Sequence, residues 1–388
     1  MKKLLLYSFA ALLSASAFAE LPSDGYYRVQ NAYTKRYVYL MDNKGSINGT
    51  STTVDVGALE LYKDLSELNT DPSDIFYIQK AASGKYSFDV YGQGTSVHGF
   101  LNRYLEIIED RKPYEGRTSY MLHGTDMGVS KYVGDLWKNM DDNKGLASSE
   151  CVGDDRKWYF DSVDASTDQY FGIAPSQESN GKYFYPLYAG FPISAYSSGI
   201  KFYAVEEIDS RGAAVINEIK GIVPAGVPVI VECSSPYATD NRLNVGPFGG
   251  GDNVKTNLLK GVYFDNNERD HHWNRTRFDK NTMRVLGVKD GRLAFVESDI
   301  EYLPRNQAYL QLTDASQYGV KDFIVMTEEQ REAELGSVSI VPDTAVVDVY
   351  TVDGRLVNAG VAKDEVRLLG KGLYILRGAG VSEKLIVR

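Results

Sequence analysis

Cysteine is nearly missing from this chain: Cys151 and Cys233 are the only two in 388 residues. A dense disulfide framework is therefore excluded, and one bridge or two isolated thiols both stay open. Histidine is scarce as well, at His98, His123, His271 and His272. No His-Glu-x-x-His helix and no Cys-x-x-Cys pair occurs, so zincin and zinc-finger sites are not expected and no metal is assigned. Neither a Gly-x-Ser-x-Gly elbow nor a Gly-x-x-x-x-Gly-Lys phosphate loop is present. No catalytic residue and no cofactor is assigned from motifs. Basic residues are outnumbered 42 to 52 by acidic ones, with a net charge of −10 and a pI near 5.1. That balance argues against nucleic acid and anionic membrane surfaces as partners, because both require a basic face. Long apolar runs are confined to the start of the chain, so no integral membrane segment is expected after it.

What is present begins with an export signal. Lys2 and Lys3 precede the apolar run Leu4 to Ala15, and Ala17-Phe18-Ala19 supplies the small residues that signal peptidase needs. The mature chain is expected to begin at Glu20, exported through the inner membrane and then secreted or held at the cell surface. No cysteine follows the apolar run, so no lipid anchor is expected.

Tyrosine is abundant, with 28 residues. Tyr suits half-buried pleated surfaces, so this abundance points first to β structure. Four loosely recurring units support it, starting at Gly25, Ile75, Ser119 and Arg156. Each alternates apolar and polar positions, as at Tyr27 and Val29 or Tyr37 and Tyr39. Thr34-Lys35, Ser83-Gly84 and Ser166-Thr167 suit the reversals between them. Helical stripes are expected at Leu61, Leu65 and Leu68, at Leu101, Tyr104, Leu105 and Ile108, and at Val133, Leu136, Trp137 and Met140. The hairpin plan, with Phe76-Tyr77-Ile78 and Trp158-Tyr159-Phe160 as inward aromatic positions, resembles the β-trefoil of ricin-type lectins. The Gln-x-Trp signature of that family is absent. The resemblance implies a trefoil fold and sugar binding.

A second β-rich stretch follows. Pro224-Ala225-Gly226 separates two apolar strands, and Asp290-Gly291 joins Val285–Val288 to Leu293–Val296 as a hairpin. Gly249-Gly250-Gly251-Asp252 reads as a flexible loop. Pro304, Asn306, Ala308, Tyr309 and Leu310 form a pattern similar to one in exported proteins of bacteria that use type IX secretion. Thr327 and Gln330 can form a capping box for a short helix closed by Gly336.

The last stretch, Val346 to Arg388, alternates short strands with turns. Asp353-Gly354 is a hairpin signal, and Val366 and Leu368 read as one strand face. Gly354, Arg355, Gly372, Tyr374, Lys384 and Arg388 occupy the places of a motif that resembles the C-terminal sorting domain of type IX secretion cargo. The resemblance implies that the secretion machinery is a partner.

The expected organisation is mainly β. It comprises a signal peptide at 1–19, a β-trefoil-like domain with short inserted helices at 20–181, and a middle β-rich domain at 182–326. A linker at 327–342 and a small C-terminal β-sandwich at 343–388 complete it. For ligand binding the segment from Asp265 stands out, with Trp273 as an aromatic ledge for a sugar and His271 and His272 beside it. Adjacent His residues on a strand face opposite ways, so a polar loop explains them as well. Asp161-Ser162-Val163 and Asp343-Thr344-Ala345 resemble short O-glycosylation motifs. Together these features suit a non-enzymatic protein that binds glycans or a host surface. A secreted hydrolase with a dispersed carboxylate pair, or a structural surface component, are the alternatives.

Overall fold

The structure is a computed structural model. It describes residues 21–39, 58–60, 65–89, 106–110, 112–126, 129–135, 146–147, 153–262, 276–337, 345–378 and 381–387. The chain is mainly β and divides into two compact units, Met1–Val325 and Met326–Arg388.

The first strands are β1 (Gly25–Asn31), β2 (Tyr37–Tyr39) and β3 (Ala58–Glu60), followed by the single-turn α1 (Leu65–Leu68). Next come β4 (Phe76–Lys80), β5 (Tyr86–Asp89), β6 (Glu106–Glu109), β7 (Tyr120–Asp126), β8 (Val129–Asp135), β9 (Leu146–Ala147) and β10 (Lys157–Ser162). Six of these follow one another round a ring. β1 pairs with β4, β4 with β5, β6 with β7, β7 with β10, and β10 returns to β1, all antiparallel. Between β5 and β6 the ring is spanned by the ion pair Lys85–Glu106 at 3.9 Å. β2–β3 and β8–β9 hang from β1 and β7 as two-strand extensions. Ring strands in chain order, the last beside the first, with hairpins inserted between them, make this part β-trefoil-like. Its centre is filled by fully buried Val29, Phe76, Ile78, Leu122 and Trp158. Trp158 also donates its indole N–H to the Val133 carbonyl at 2.9 Å. A buried Arg36–Asp135 pair ties the turn after β1 to the end of β8.

Three sequence expectations fail here. Ile108 lies in strand β6 and Val133 in strand β8, so neither helical stripe forms at those residues. Cross-strand pairing with β7 buries Ile107 and Leu122 instead, and tertiary pairing overrides a helical spacing. The fourth unit is no hairpin: β10 pairs with β1, whereas Phe171–Gly172 joins a different sheet. The change of partner thus comes near 171, ten residues before the expected boundary at 181. The remaining stripe residues, Leu61, Leu101, Tyr104, Leu105, Leu136, Trp137 and Met140, lie outside the described residues.

The second half of this unit holds β11 (Phe171–Gly172), β12 (Gln177–Ser179), β13 (Lys182–Leu187), β14 (Ile193–Ala195), β15 (Lys201–Ile208), β16 (Ala213–Ile219) and β17 (Val229–Cys233). It continues with β18 (Arg242–Val245), β19 (Leu259–Gly261), β20 (Met283–Lys289), β21 (Arg292–Val296), β22 (Ala308–Gln311) and β23 (Phe323–Thr327). A ten-stranded sheet runs β12-β13-β17-β15-β16-β23-β21-β20-β22-β19, and a smaller one runs β11-β18-β14. The large sheet curls into a half-barrel, with the Ser179 hydroxyl of β12 donating to the Gly291 carbonyl of the β20–β21 turn at 3.0 Å. That turn has φ of +50° at Asp290 and +77° at Gly291, as an Asp-Gly hairpin requires. Tyr203, Val205, Ile230, Phe295, Leu310 and Phe323 pack inside the curl. β17 is buried on both faces, with Val229, Val231 and Cys233 turned the other way. This is why Val229-Ile230-Val231 reads as a continuous apolar run rather than an alternation. That outer cluster includes Phe171, Phe191, Ile193 and Leu243, and also Tyr26 and Ile75 of the trefoil half.

Polar contacts lock the two halves. Asp71 pairs with Arg305 at 2.7 Å, and the Asn306 amide donates to the Ser73 hydroxyl at 2.6 Å and to Asp71 at 3.3 Å. Asn306 adopts φ +56°, a left-handed conformation that Asn tolerates better than most residues. Tyr77 of β4 stacks on Phe248 at 4.1 Å. The Gly249–Asp252 loop that follows is pinned rather than free. The Asp252 carboxylate accepts from the Ile222 amide at 3.0 Å, and Gly251, at φ +142°, lies against Pro224 where a Cβ would be 2.5 Å away.

In the second unit, α2 (Glu328–Ser337) opens with the expected capping box. The Gln330 side chain accepts from the Thr327 amide at 2.8 Å, and the Thr327 hydroxyl accepts from the Gln330 amide at 3.3 Å. The helix runs through Gly336 rather than closing on it. β24 (Val346–Thr351), β25 (Leu356–Ala362), β26 (Gly372–Gly378) and β27 (Val381–Val387) then form one antiparallel sheet in the order β25-β24-β26-β27. Two facing sheets were expected here; among the described residues the strands join into one. Its buried side, Val347, Val349 and Leu376, is closed by Val366. Val366 lies in a 3-10 turn at Lys363–Leu368, not in the strand expected there.

Candidate functional site

Two of the most exposed large side chains, Tyr237 at 67% and Tyr196 at 51%, lie on adjacent loops of the small sheet. Tyr196 follows β14 in the sequence Ala-Tyr-Ser-Ser-Gly, and Tyr237 precedes β18 in Ser-Ser-Pro-Tyr-Ala-Thr-Asp. Gly199 turns the first loop at φ +83°, and a Cβ there would meet Ser234 at 3.1 Å. The loops approach closely enough for the Ser234 hydroxyl to reach the Ser198 carbonyl at 3.4 Å. The second loop is built on buried Asn241, whose amide donates to Ser235 at 2.7 Å and Ile173 at 3.1 Å. Both phenol rings are therefore presented by pinned backbone.

Next to the Tyr196 loop, and continuing from the Tyr237 loop, runs β18. The amides of Tyr196 and Ser197 both donate to the Arg242 carbonyl, at 3.1 and 3.0 Å. The Arg242 guanidinium stacks over Tyr170 at 4.2 Å and donates to the carbonyls of Thr239, Ala165 and Thr167 at 3.0 to 3.2 Å. The exposed Asn244 amide points along the same face to Ser194 and Ala195. Asp240 accepts from the hydroxyls of Ser235 at 2.7 Å and Thr239 at 3.4 Å. Below Arg242, the amide and hydroxyl of Ser166 hold the Asp164 carboxyl below its ordinary range. The face offers ring surface for stacking and hydroxyl, amide and guanidinium groups for hydrogen bonds.

The trefoil half carries a second aromatic cluster, but its rings are already covered. Arg117 lies 4.0 Å over Tyr159, and Lys35 and Lys157 lie 5.5 and 5.1 Å over Tyr114. Each cation also has an acidic partner: Glu115 for Lys35, Asp161 for Arg117, and Asp110 and Asp154 for Lys157.

Trp273, His271 and His272 lie outside the described residues. So do Cys151, Asp343 and Arg388. The described members of the C-terminal motif come together at one end of their sheet. Gly354, at φ +83°, and Arg355 form the β24–β25 turn, where Thr351 and Arg355 bond reciprocally. Thr351 pairs with Tyr374, whose hydroxyl donates to the Gly370 carbonyl at 2.9 Å, while Gly372 lies beneath the Tyr374 ring. Lys384 is exposed one step along, opposite Ile375. Cys233 is a free, buried thiol, pushed up to about 12 by burial and by Glu232. Ser162 is exposed, at the end of β10. No motif in the sequence marks Tyr196 or Tyr237; their signal is a Tyr flanked by Ser, Pro and Gly turn residues, where a ring has no strand face to hide on.

No family model matches the chain, and no curated protein matches it in sequence. Among solved structures, the designed three-fold symmetric protein ThreeFoil aligns at a TM-score of 0.25 and 12% identity, over 36% of this chain and 100% of that one. A mosquitocidal holotoxin aligns at 0.27 and 11% identity, over 86% of this chain and 37% of that one.

Proposed function

We propose that this is an exported, non-enzymatic binding protein whose Tyr196–Tyr237 face holds glycans at or beyond the cell surface. The observation that carries this reading is the pair of uncovered phenol rings on two linked loops next to a strand bearing Arg242 and Asn244. A pyranose has one apolar face and a rim of hydroxyls, which such a surface matches with stacking and planar polar groups. The backbone under both rings is pinned and a Tyr has only two side-chain torsions to order, so little side-chain entropy is lost on binding. Asp240, the carboxylate closest to this strand in sequence, is already engaged by two hydroxyls. In this reading Met1–Ala19 directs export, and the C-terminal sheet is the delivery module recognised by type IX secretion machinery.

The test is a glycan array probed with the mature chain and with a Tyr196→Ala/Tyr237→Ala variant. Wild-type signal that drops by roughly tenfold or more in the variant is expected, since each lost stack is worth ~0.5–1.5 kcal/mol. A silent array, or binding that survives both substitutions, ends the proposal.

A further inference from the structure

A separate cavity of about 420 Å³ opens on the half-barrel between the 226–228 turn and β19. Its size falls within the range of small-molecule sites, and it lies outside the small sheet that carries Tyr196 and Tyr237. Tyr188 and Tyr309 are two of its walls and Pro228 is another. The Tyr188 ring lies flat on Gly261, where a Cβ would be 2.1 Å from the ring, so only glycine leaves this slot its depth. Lys260 sits directly opposite Tyr309 in the β19–β22 ladder. Their neighbours Leu259, Leu310 and Ala308 point into the half-barrel core, so Lys260 and Tyr309 share the outer side.

The polar groups of this cavity divide into used and unused ones. Asn257 is spent: its amide donates to Pro228 at 2.8 Å, and its oxygen accepts from Val205 and Leu259 at 3.3 and 3.1 Å. Among the described residues Lys260 forms no ion pair and the Tyr309 hydroxyl has no hydrogen-bond partner. Burial also raises the Tyr309 hydroxyl above its ordinary pKa, keeping it a neutral donor at physiological pH.

We propose that this cavity binds a small ring-bearing carboxylate, the ring packed between Tyr188, Tyr309 and Pro228 and the carboxylate held by the Lys260 ammonium and the Tyr309 hydroxyl. One ammonium and one hydroxyl match the two oxygens of a carboxylate, and the single positive charge balances its single negative charge; phosphate near neutral pH carries more charge than one ammonium offsets. A sugar acid and an aromatic acid share this chemistry.

Isothermal titration of the full mature chain with glucuronate, benzoate, glucose and inorganic phosphate tests the proposal. One or both acids should bind, glucose and phosphate should not, and the tighter acid identifies the source of the ring. Lys260→Gln should weaken acid binding by roughly tenfold or more, because a charge-assisted bond is lost. Tyr309→Phe should weaken it by about threefold, with thermal unfolding of both variants unchanged. The Tyr196→Ala/Tyr237→Ala variant should bind the acid as wild type does. Equal binding of glucose, equal binding of phosphate, or full affinity in Lys260→Gln would reduce Lys260 to an edge-strand lysine and overturn the proposal. So would failure of both acids to bind, or loss of acid binding in the Tyr196→Ala/Tyr237→Ala variant.

Discussion

At the scale of single residues, burial decides which groups have chemistry left. The Cys233 thiol, pushed up to about 12 in the outer core, stays protonated at pH 8, where an exposed thiol is partly ionised. It should resist a maleimide or disulfide reagent in the native protein and react promptly in denaturant; rapid native modification would contradict the packing around it. Asp209 behaves oppositely. Burial pushes its carboxyl up, but the amides of Ala213 and Arg211, both at 2.9 Å, and the Arg211 guanidinium outweigh this and hold it below its ordinary value. The charged form therefore favours the folded state. That contribution is complete above about pH 4 and is lost as pH falls through the lower folded value. Asp209→Asn should cost about 1 kcal/mol at pH 7 in urea denaturation. The gap from wild type should close as the pH is taken well below the ordinary carboxylate range, and a gap that persists there would assign the effect to shape rather than charge.

At the scale of elements, the legible ones were those with local chemistry. The Thr327–Gln330 capping box, the Asp290-Gly291 hairpin and the Asp353-Gly354 hairpin all form where their turn and cap residues stand. The stripe assigned around Val133 did not, because a spacing of three or four residues is satisfied by chance in a strand whose partners lie far along the chain. The β24–β27 sheet has its own core around Val349 and Leu376 and carries the motif residues at one end. Deleting Val346–Arg388 should retain the protein in the periplasm while leaving the remaining chain folded, as read by cell fractionation and circular dichroism. Unchanged delivery to the surface or medium would refute the sorting role.

At the scale of the whole molecule, residues 21–325 act as one unit, joined through Tyr26, Ile75 and Phe191 and through the Asp71–Arg305 and Ser73–Asn306 contacts. Asn306→Ala should cost about 2–3 kcal/mol in urea denaturation, from two lost hydrogen bonds and a left-handed backbone that Ala tolerates poorly. Asn306→Gly should recover only the backbone part; wild-type stability in the Ala variant would dismiss this lock. The amino-acid order alone settled the β class, the hairpin turns and the helix cap, because alternation, Asp-Gly pairs and capping boxes act over a few residues. It could not bring the Tyr196 loop against the Tyr237 loop or set Lys260 opposite Tyr309. Such neighbours are made by antiparallel registers between distant strands, and those registers are chosen by whichever curl of the sheets buries Phe295, Leu310 and Phe191 together with their partners.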